Sequence, residues 1–367
     1  MRVLALGPES FGGFAGMAQG TRDYLRGLLS APEVESVDLL CRRPPNQDLP
    51  LPEGLHETVL EGNPARFVVG AARAALSQRY DLIFCLHLRL MPVASVLKRA
   101  FGLPVWLHVH GMDGWGPTGA MSHGSSARAD LVTSSSRYTL ERFLSWASVD
   151  EARTAVLNNP FHPDRLGPGP KPEYLLERYG LHGKRVLLTV GRMLGVDRFK
   201  GHDEILYALP QLARRHPQVS WLVVGDGPDQ ERIRGLVDAS EVSERVVFAG
   251  RIREIEKRDH YLVADAFALP STTEGFGIVY LEAAACGLPV LGGDRDGARD
   301  PLCDGRLGIL VDPHDERQLL AGLDELLRRP RGVPDELATF TFERHAERMR
   351  ELVARCFGGL GKGKRAA

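Results

Sequence analysis

The sequence predicts an α/β protein of two doubly wound domains, each a parallel sheet with helices on both faces. Three observations predict it. Short apolar runs alternate with helix-period stretches along all 367 residues, the rhythm of consecutive βαβ units. The stretch from Pro163 to Pro172 is rich in proline and glycine and interrupts that rhythm near the middle, as an interdomain linker does. At 43% hydrophobic residues, a chain of this length can fill two cores of ordinary size.

Composition narrows the partners. A formal net charge of −1 leaves no basic excess, which argues against nucleic acid. The five cysteines, Cys41, Cys85, Cys286, Cys303 and Cys356, are odd in number and lack paired metal spacing. They read as reduced thiols of a cytoplasmic protein. Met1 to Leu6 is too short for a signal segment, and no apolar run reaches the length of a membrane span. Membrane contact is therefore expected to be peripheral, at the inner face.

The first domain is expected over 1–165. Val3–Leu6 is a strand, followed by a glycine loop, Phe11 to Ala18, that contains Gly12 and Gly13 and leads into a helix, Ala18 to Leu29. Glycine there permits close approach to a phosphate or sugar, although a plain tight turn fits as well and the dinucleotide fingerprint is not met. Val37–Cys41 is the second strand, and 43–54 is an irregular, proline-rich connection. Helix Pro64–Arg79, strand Asp81–His87, helix Pro92–Phe101 and strand Pro104–Gly111 follow. Strand Ala129–Ser134, helix Ser136–Trp146 and strand Ala155–Pro160 complete this half. The apolar, basic helix Pro92–Phe101 could lean on a membrane, though core packing explains it too.

The second domain is expected over 173–341. Its strands are Val186–Val190, Trp221–Gly225, Val246–Ala249, Ala264–Leu269 and Val290–Leu291. Its helices are Gly201–His216, Asp229–Ala239 and Ile278–Cys286, the last stopped by Gly287 and Pro289. A charged helix spans Phe342–Phe357, and a frayed tail with Lys362, Lys364 and Arg365 follows.

The richest chemistry lies between Ser271 and Glu282. A buried strand ends in a loop carrying Glu274, Gly275, Phe276 and Gly277, and then a helix carries Glu282. Ligands of open α/β sheets sit beyond such strand ends. Glu282 is two helical turns past Glu274, roughly 12 Å at 1.5 Å per residue. One carboxylate could accept from sugar hydroxyls and the other from ribose hydroxyls. The amides of Gly275, Phe276 and Gly277, at a helix N-terminus, would face the phosphates between. Both acids would otherwise be ordinary surface residues, and it is the flanking glycines, strand and helix that favour a sugar nucleotide.

Other strand ends add to this. Gly191 and Arg192 close one strand, and Lys200 precedes the next helix, so two cations suit a pyrophosphate gaining charge as it leaves. Asp226 and Gly227 follow another strand, and Gly250, Arg251 and Ile252 another. These would shape a base pocket, although Asp226 could equally cap a helix. In the first half His110 ends a strand and could bond a sugar hydroxyl or move a proton. His108 reads as a core histidine, and Trp115 as either a core ring or a stacking platform. No Asp-x-Asp loop of the metal-dependent kind is recognised beside the donor strands, so no divalent ion is expected to be required.

Taken together, Gly12–Gly13, His110–Gly111, Val190–Gly191–Arg192 with Lys200–Gly201, Gly225–Asp226–Gly227–Pro228, and Glu274 with Glu282 resemble the retaining glycosyltransferases of family 4. The resemblance spans nearly the whole chain and is strongest in the second half. It implies the GT-B fold, two Rossmann-like domains facing across a cleft, with the last helix crossing back to the first domain. It further implies a UDP- or GDP-linked hexose on the second domain and a saccharide or lipid-linked acceptor on the first, in glycan or polysaccharide biosynthesis. Glu274 would hold the transferred sugar and Glu282 the ribose. Arg192 and Lys200 would stabilise the leaving phosphate, Gly13 would lend an amide to the pyrophosphate, and His110 would contact the sugar. One departure stands out: Asn158–Asn159–Pro160–Phe161 replaces the family's usual hinge-side pattern. With no evident nucleophile in the first half, the expected mechanism is a front-face displacement in which the departing phosphate takes the acceptor proton. A sugar-nucleotide epimerase or hydrolase of the same fold is the alternative, and a binding protein without catalysis a third.

Overall fold

Every apolar run expected to be a strand is one in the computed structural model, which describes all residues except 14, 48, 118, 194, 196–199 and 359–367. Phe14, Phe199 and the expected frayed tail lie outside the described residues.

The chain divides into two units, one formed by Met1–Pro160 with the residues from Phe342 on, the other by Phe161–Thr341. The first unit contains β1 (Arg2–Gly7), α1 (Ala15–Leu29), β2 (Ser36–Cys41), β3 (Leu55–Val59) and α2 (Pro64–Ser77). It continues with β4 (Leu82–Cys85), α3 (Met91–Phe101), β5 (Val105–Val109), α4 (Ala120–Ser126), β6 (Leu131–Ser134), α5 (Arg137–Leu144) and β7 (Thr154–Val156). The seven strands are parallel in the order β3-β2-β1-β4-β5-β6-β7. The order reverses between β1 and β4, whose carboxyl ends therefore form the crevice of this sheet. Local sequence sets the helix starts: Asn63 caps α2 by accepting from the Arg66 amide, with Pro64 in the first turn, and Ser136 caps α5.

The last helix, α12 (Phe342–Phe357), belongs to this first unit. His345, Ala346, Met349, Leu352, Val353 and Phe357 recur at helical spacing and are buried. They pack beside Tyr24, Leu25 and Leu28 of α1. A Cβ at Gly27 of α1 would stand 3.0 Å from Met349.

The second unit holds α6 (Glu173–Tyr179), β8 (Arg185–Val190), α7 (His202–Arg215), β9 (Val219–Val224), α8 (Gln230–Asp238), β10 (Val246–Gly250) and α9 (Lys257–Leu262). Then come β11 (Ala266–Leu269), α10 (Ile278–Ala285), β12 (Val290–Gly293), β13 (Ile309–Val311) and α11 (Glu316–Arg328). Its six parallel strands run β10-β9-β8-β11-β12-β13, so the order reverses between β8 and β11. Trp221 and Phe267 lie wholly buried on opposite faces of this sheet's core, each contributing on the order of 1.5–3 kcal/mol by burial.

The sequence does not anticipate β3, α4, α6, α9, β13 or α11. β3 is an edge strand whose Leu-His-Glu-Thr-Val is buried only at Leu55, so it carries little apolar signal. α4, α6, α9 and β13 are too short for periodicity to speak. α11 is different, since its leucines recur at helical spacing behind a capping Asp315 and the signal is plain. The expected linker is also not loose. Phe161 donates to the Phe340 carbonyl at 2.9 Å, and Lys171 pairs with Asp265 at 2.7 Å, so the stretch lies against the second unit and the division falls at Pro160.

Candidate functional site

The richest cluster stands at the β8/β11 switch point. β11 ends at Leu269 and the chain runs through Pro270 and Ser271 to Glu274. α7 starts against that same turn, because Gly201 adopts φ +84° and a Cβ there would be 2.6 Å from the Pro270 carbonyl. The close approach brings Lys200 Nζ to 2.6 Å from Glu274 Oε2, with both side chains under one-fifth exposed. Lysine has three N–H donors, and one suffices for Glu274, so the ammonium keeps capacity for a second anion. The pair joins a carboxylate, which can accept from hydroxyls, to a cation, which can meet an anion, beside one strand edge.

Arg192 is held by its backbone neighbours. The Gly191 amide donates to Val224 O at 3.0 Å, and the Met193 amide to Asp226 O at 2.9 Å. A Cβ at Gly225 would fall 1.9 Å from Gly191 O, so only glycine lets the loops after β8 and β9 touch. Arg192 itself is exposed and makes no ion pair among the described residues. Asp226 is exposed and Gly227 half-buried, and α8 is capped at Asp229, not by an Asp226 side-chain bond. Arg251 is exposed and Ile252 half-buried after β10.

Glu282 is more deeply fixed than its sequence suggests. It is 8% exposed on α10. Its Oε1 accepts from Lys257 Nζ at 2.8 Å and its Oε2 from the Tyr261 hydroxyl at 2.7 Å. Burial, then the nearby Glu282 charge, holds the Tyr261 hydroxyl well above its ordinary range, so it stays a donor. Burial pulls Lys257 down, but Glu282 and Glu254 outweigh that and raise it, so it stays charged. Lys257 and Tyr261, both on α9, are partners of Glu282 that the sequence does not reveal.

The Glu274 loop has its own support. Gly277 takes φ +86° at the start of α10, and the ring of Phe276 packs into the core near Phe340. Gly275, between Glu274 and Phe276, is half-buried. Gly297 donates to the Glu274 carbonyl at 2.8 Å. Asp296, wholly buried, accepts from the Glu274 amide at 2.6 Å.

Asp296 also corrects an expectation. An Asp-x-Asp does stand beside a donor strand: Asp294–Arg295–Asp296 follows β12 directly. Asp296 accepts from three protein donors, at Ser271, Glu274 and Ala298, and Arg295 pairs with Asp312. Among the described residues, no group of three metal-ligating side chains gathers.

In the first unit, His110 follows β5, and its Nε2 lies 2.8 Å from the Leu86 carbonyl. A carbonyl only accepts, so Nε2 carries the proton and Nδ1 is the ring's acceptor. Burial pulls the His110 pKa down, with Asp113 and the Leu86 bond opposing it. His108 is wholly buried, bonded to Thr133 at 2.9 Å, and is the core histidine expected. Trp115 packs edge-on to Tyr138 and bonds Thr139. The Gly13 expectation is not met: its amide donates to Ser10 O at 3.0 Å in a tight turn, so it is not presented to a pyrophosphate. The Gly12 carbonyl accepts from the Asn46 and Gln47 amides, and buried Arg22 braces the turn through the Phe11 and Gly13 carbonyls. The departing Asn158–Asn159 pair is tied into this unit, Asn158 through Ser135 O and His345, Asn159 by the Tyr24 hydroxyl at 2.5 Å.

Two Rossmann-like parallel sheets, with acids and cations at the switch point of the second, define a GT-B glycosyltransferase architecture. Residues 15–160 match the glycosyl transferase 4-like domain, and residues 176–341 match the glycosyl transferases group 1. The chain belongs to the family 4-type, group 1 glycosyltransferases. It is 39% identical over 211 residues to a GDP-mannose-dependent alpha-(1-6)-phosphatidylinositol monomannoside mannosyltransferase of Mycolicibacterium smegmatis, covering 55% of this chain and 54% of that protein. It is 31% identical over 253 residues to a GDP-mannose-dependent monoacylated alpha-(1-6)-phosphatidylinositol monomannoside mannosyltransferase of Corynebacterium glutamicum, covering 65% of this chain and 64% of that one. The match thus spans about half to two-thirds of the length of these curated relatives. In fold it is similar to sucrose-phosphate synthase of Thermosynechococcus elongatus, with TM-score 0.79, 22% identity and coverage of 97% and 99% of the two chains. It is also similar to HepE of Anabaena in complex with UDP, with TM-score 0.75, 20% identity and coverage of 98% and 100%.

Proposed function

We propose that the protein transfers a hexose, with retention of configuration, from a nucleotide sugar to an inositol-bearing phospholipid or its mannoside. GDP-mannose is the first donor to test and a UDP-hexose the second. The observation that carries the reading is the Lys200–Glu274 pair at the switch point, a sugar-holding acid and a phosphate-holding cation in contact. The names of the mannosyltransferase relatives support the donor and acceptor class.

In the proposed step, the bond between the anomeric carbon and the bridging phosphate oxygen breaks, the oxygen leaving with the diphosphate, as a bond to the acceptor oxygen forms on the same face. Lys200 and Arg192 offset the charge that grows on the diphosphate. A phosphate oxygen takes the acceptor proton. Glu274 orients the sugar hydroxyls, and Glu282, fixed by Tyr261 and Lys257, orients the ribose. Arg251, Ile252, Asp226 and Gly227 border the base, and His110, with Nδ1 as acceptor, serves the sugar or acceptor hydroxyl. No metal is assigned a part, and activity is expected to survive chelation.

Among the described residues, no helix is long and apolar enough to cross a membrane. A lipid-linked acceptor would be met by peripheral contact at a cytoplasmic membrane face, where α3 exposes Val96 and Phe101 beside Arg99. The test is a thermal-shift panel of nucleotide sugars, then transfer from the best donor into phosphatidylinositol mannoside vesicles, with the anomeric configuration read by NMR. Nucleotide release that is equally fast without acceptor would favour a hydrolase or epimerase, and an inverted product would remove the front-face mechanism.

A further inference from the structure

Asp296 stands three residues past the end of β12, wholly buried, and among the described residues no cation is bonded to it. Its Oδ2 accepts from the Ser271 hydroxyl at 2.7 Å and from the Glu274 amide at 2.6 Å. Its Oδ1 accepts from the Ala298 amide at 2.9 Å. Both ends of the turn from β11 into the Glu274 loop are therefore fastened to one carboxylate. The turn is short, so those two bonds determine where the Glu274 side chain leaves the main chain.

A buried carboxylate without a cation is costly to keep. The groups around it give no relief. Glu274 raises the pKa of Asp296, Lys200 pairs with Glu274 and not with Asp296, and Tyr280 is a neutral phenol held well above its ordinary range by burial and by Asp296 itself. Asp296 reaches about 7, chiefly from burial and against the pull of its three hydrogen bonds. For fastening a turn, a neutral acceptor would carry less penalty, but here both ends of the side chain must accept, Oδ2 from Ser271 and Glu274 and Oδ1 from Ala298. An amide would turn an NH2 donor toward one of those donors, and a carboxylate does not.

We infer that Asp296 is a positioning residue for the transfer reaction, fixing the Glu274 loop so that the Glu274 carboxylate meets the donor sugar. The inference rests on the role proposed above for Glu274, and the two can fail separately.

The experiment compares Asp296→Asn, Ser271→Ala, Glu274→Gln and the Glu274→Gln/Asp296→Asn double variant, with GDP affinity by calorimetry beside kcat and KM against pH. Asp296→Asn is expected to lower kcat by about 10- to 100-fold, the size of effect typical of a group that orients a functional ligand, with GDP affinity within about threefold. The wild-type kcat should fall as pH drops through about 7, the value for Asp296, and the Asn variant should lose that limb. Ser271→Ala deletes one donor to the charged form and should move the limb up by about one pH unit. The double variant should be no worse than Glu274→Gln alone, because both act through one group.

Wild-type turnover in Glu274→Gln overturns the site's assignment itself. An inactive Glu274→Gln beside an unimpaired Asp296→Asn overturns only the positioning role. If Asp296→Asn fails to fold, Ser271→Ala decides: a limb that does not move ends the proposal. A GDP affinity that falls as far as kcat also ends it, since the whole pocket would then have collapsed.

Discussion

The Gly297→Ala substitution asks how tightly the Glu274 main chain must be held. Gly297 donates to the Glu274 carbonyl at 2.8 Å. An added Cβ would lie 2.2 Å from Gly275 O and 2.6 Å from Glu274 O, both backbone atoms that no side-chain rotation can clear. Carbon and oxygen come to rest about 3.2 Å or more apart, so the two segments must part by about 1 Å. A displacement of 1 Å at a reacting centre costs about 100-fold in rate. Forcing one methyl into a packed site also costs about 1–3 kcal/mol, and each kcal/mol lowers Tm by about 2–4 °C for a unit of 150–250 residues. The expected result is a kcat about 100-fold lower at saturating donor, a Tm lower by about 5 °C, and GDP binding changed little. Gly235→Ala is the matched control: that glycine lies inside α8 with nothing within 4 Å of its Cβ position. It should gain about 0.5–1 kcal/mol of stability and leave kcat alone. A Gly297→Ala variant with the lowered Tm but kcat within twofold of the parent would show that turnover tolerates a displaced Glu274 loop, and the reasoning would be refuted.

Two further outcomes are expected. Tyr261→Phe removes one of the two donors to buried Glu282. A hydrogen bond to a charged group contributes about 1.5–3 kcal/mol, so Tm should fall and donor KM should rise by about tenfold, with a smaller change in kcat. An unchanged KM would detach Glu282 from the ribose. Stability should also decline in mild acid. Burial holds His87, His108, His110, His202 and His260 below their ordinary value of 6.5, so the native state keeps them neutral while the unfolded chain takes up protons. The stability they lend is present above 6.5 and is lost as pH falls toward their native values. Asp296 has the opposite sign, contributing fully below 3.8 and losing its contribution as pH rises through about 7. Glu204, raised by burial, acts in the same sense as Asp296. Five histidines act against these two carboxyls, so urea midpoints should be lower at pH 5.5 than at pH 7.5, and a flat profile would contradict the count.

The legible part of the molecule was the part written in neighbouring residues. Central strands show as apolar runs because parallel strands are buried on both faces, and α12 shows because one face repeats at helical spacing. Glu274 and Lys200 show because glycines mark the loop after β11 and the start of α7 beside which they stand. Asp296 does not, since its partner amide lies 22 residues earlier and nothing local ties an acid after β12 to a loop after β11. Tyr261 and Lys257 are hidden likewise, reaching Glu282 across 21 and 25 residues. The Gly13 amide was misjudged because glycine content reveals that a turn is tight without revealing which carbonyl its N–H will meet.

The place of α12 has a consequence for how the protein is made. The 161–341 unit is an insertion whose two ends lie side by side, Phe161 bridged to Thr341. A nascent chain can therefore complete that unit while the earlier one waits with the α1 face around Tyr24 and Leu28 uncovered. The half synthesised first is the half sealed last, and during elongation its open flank is the surface a chaperone would meet.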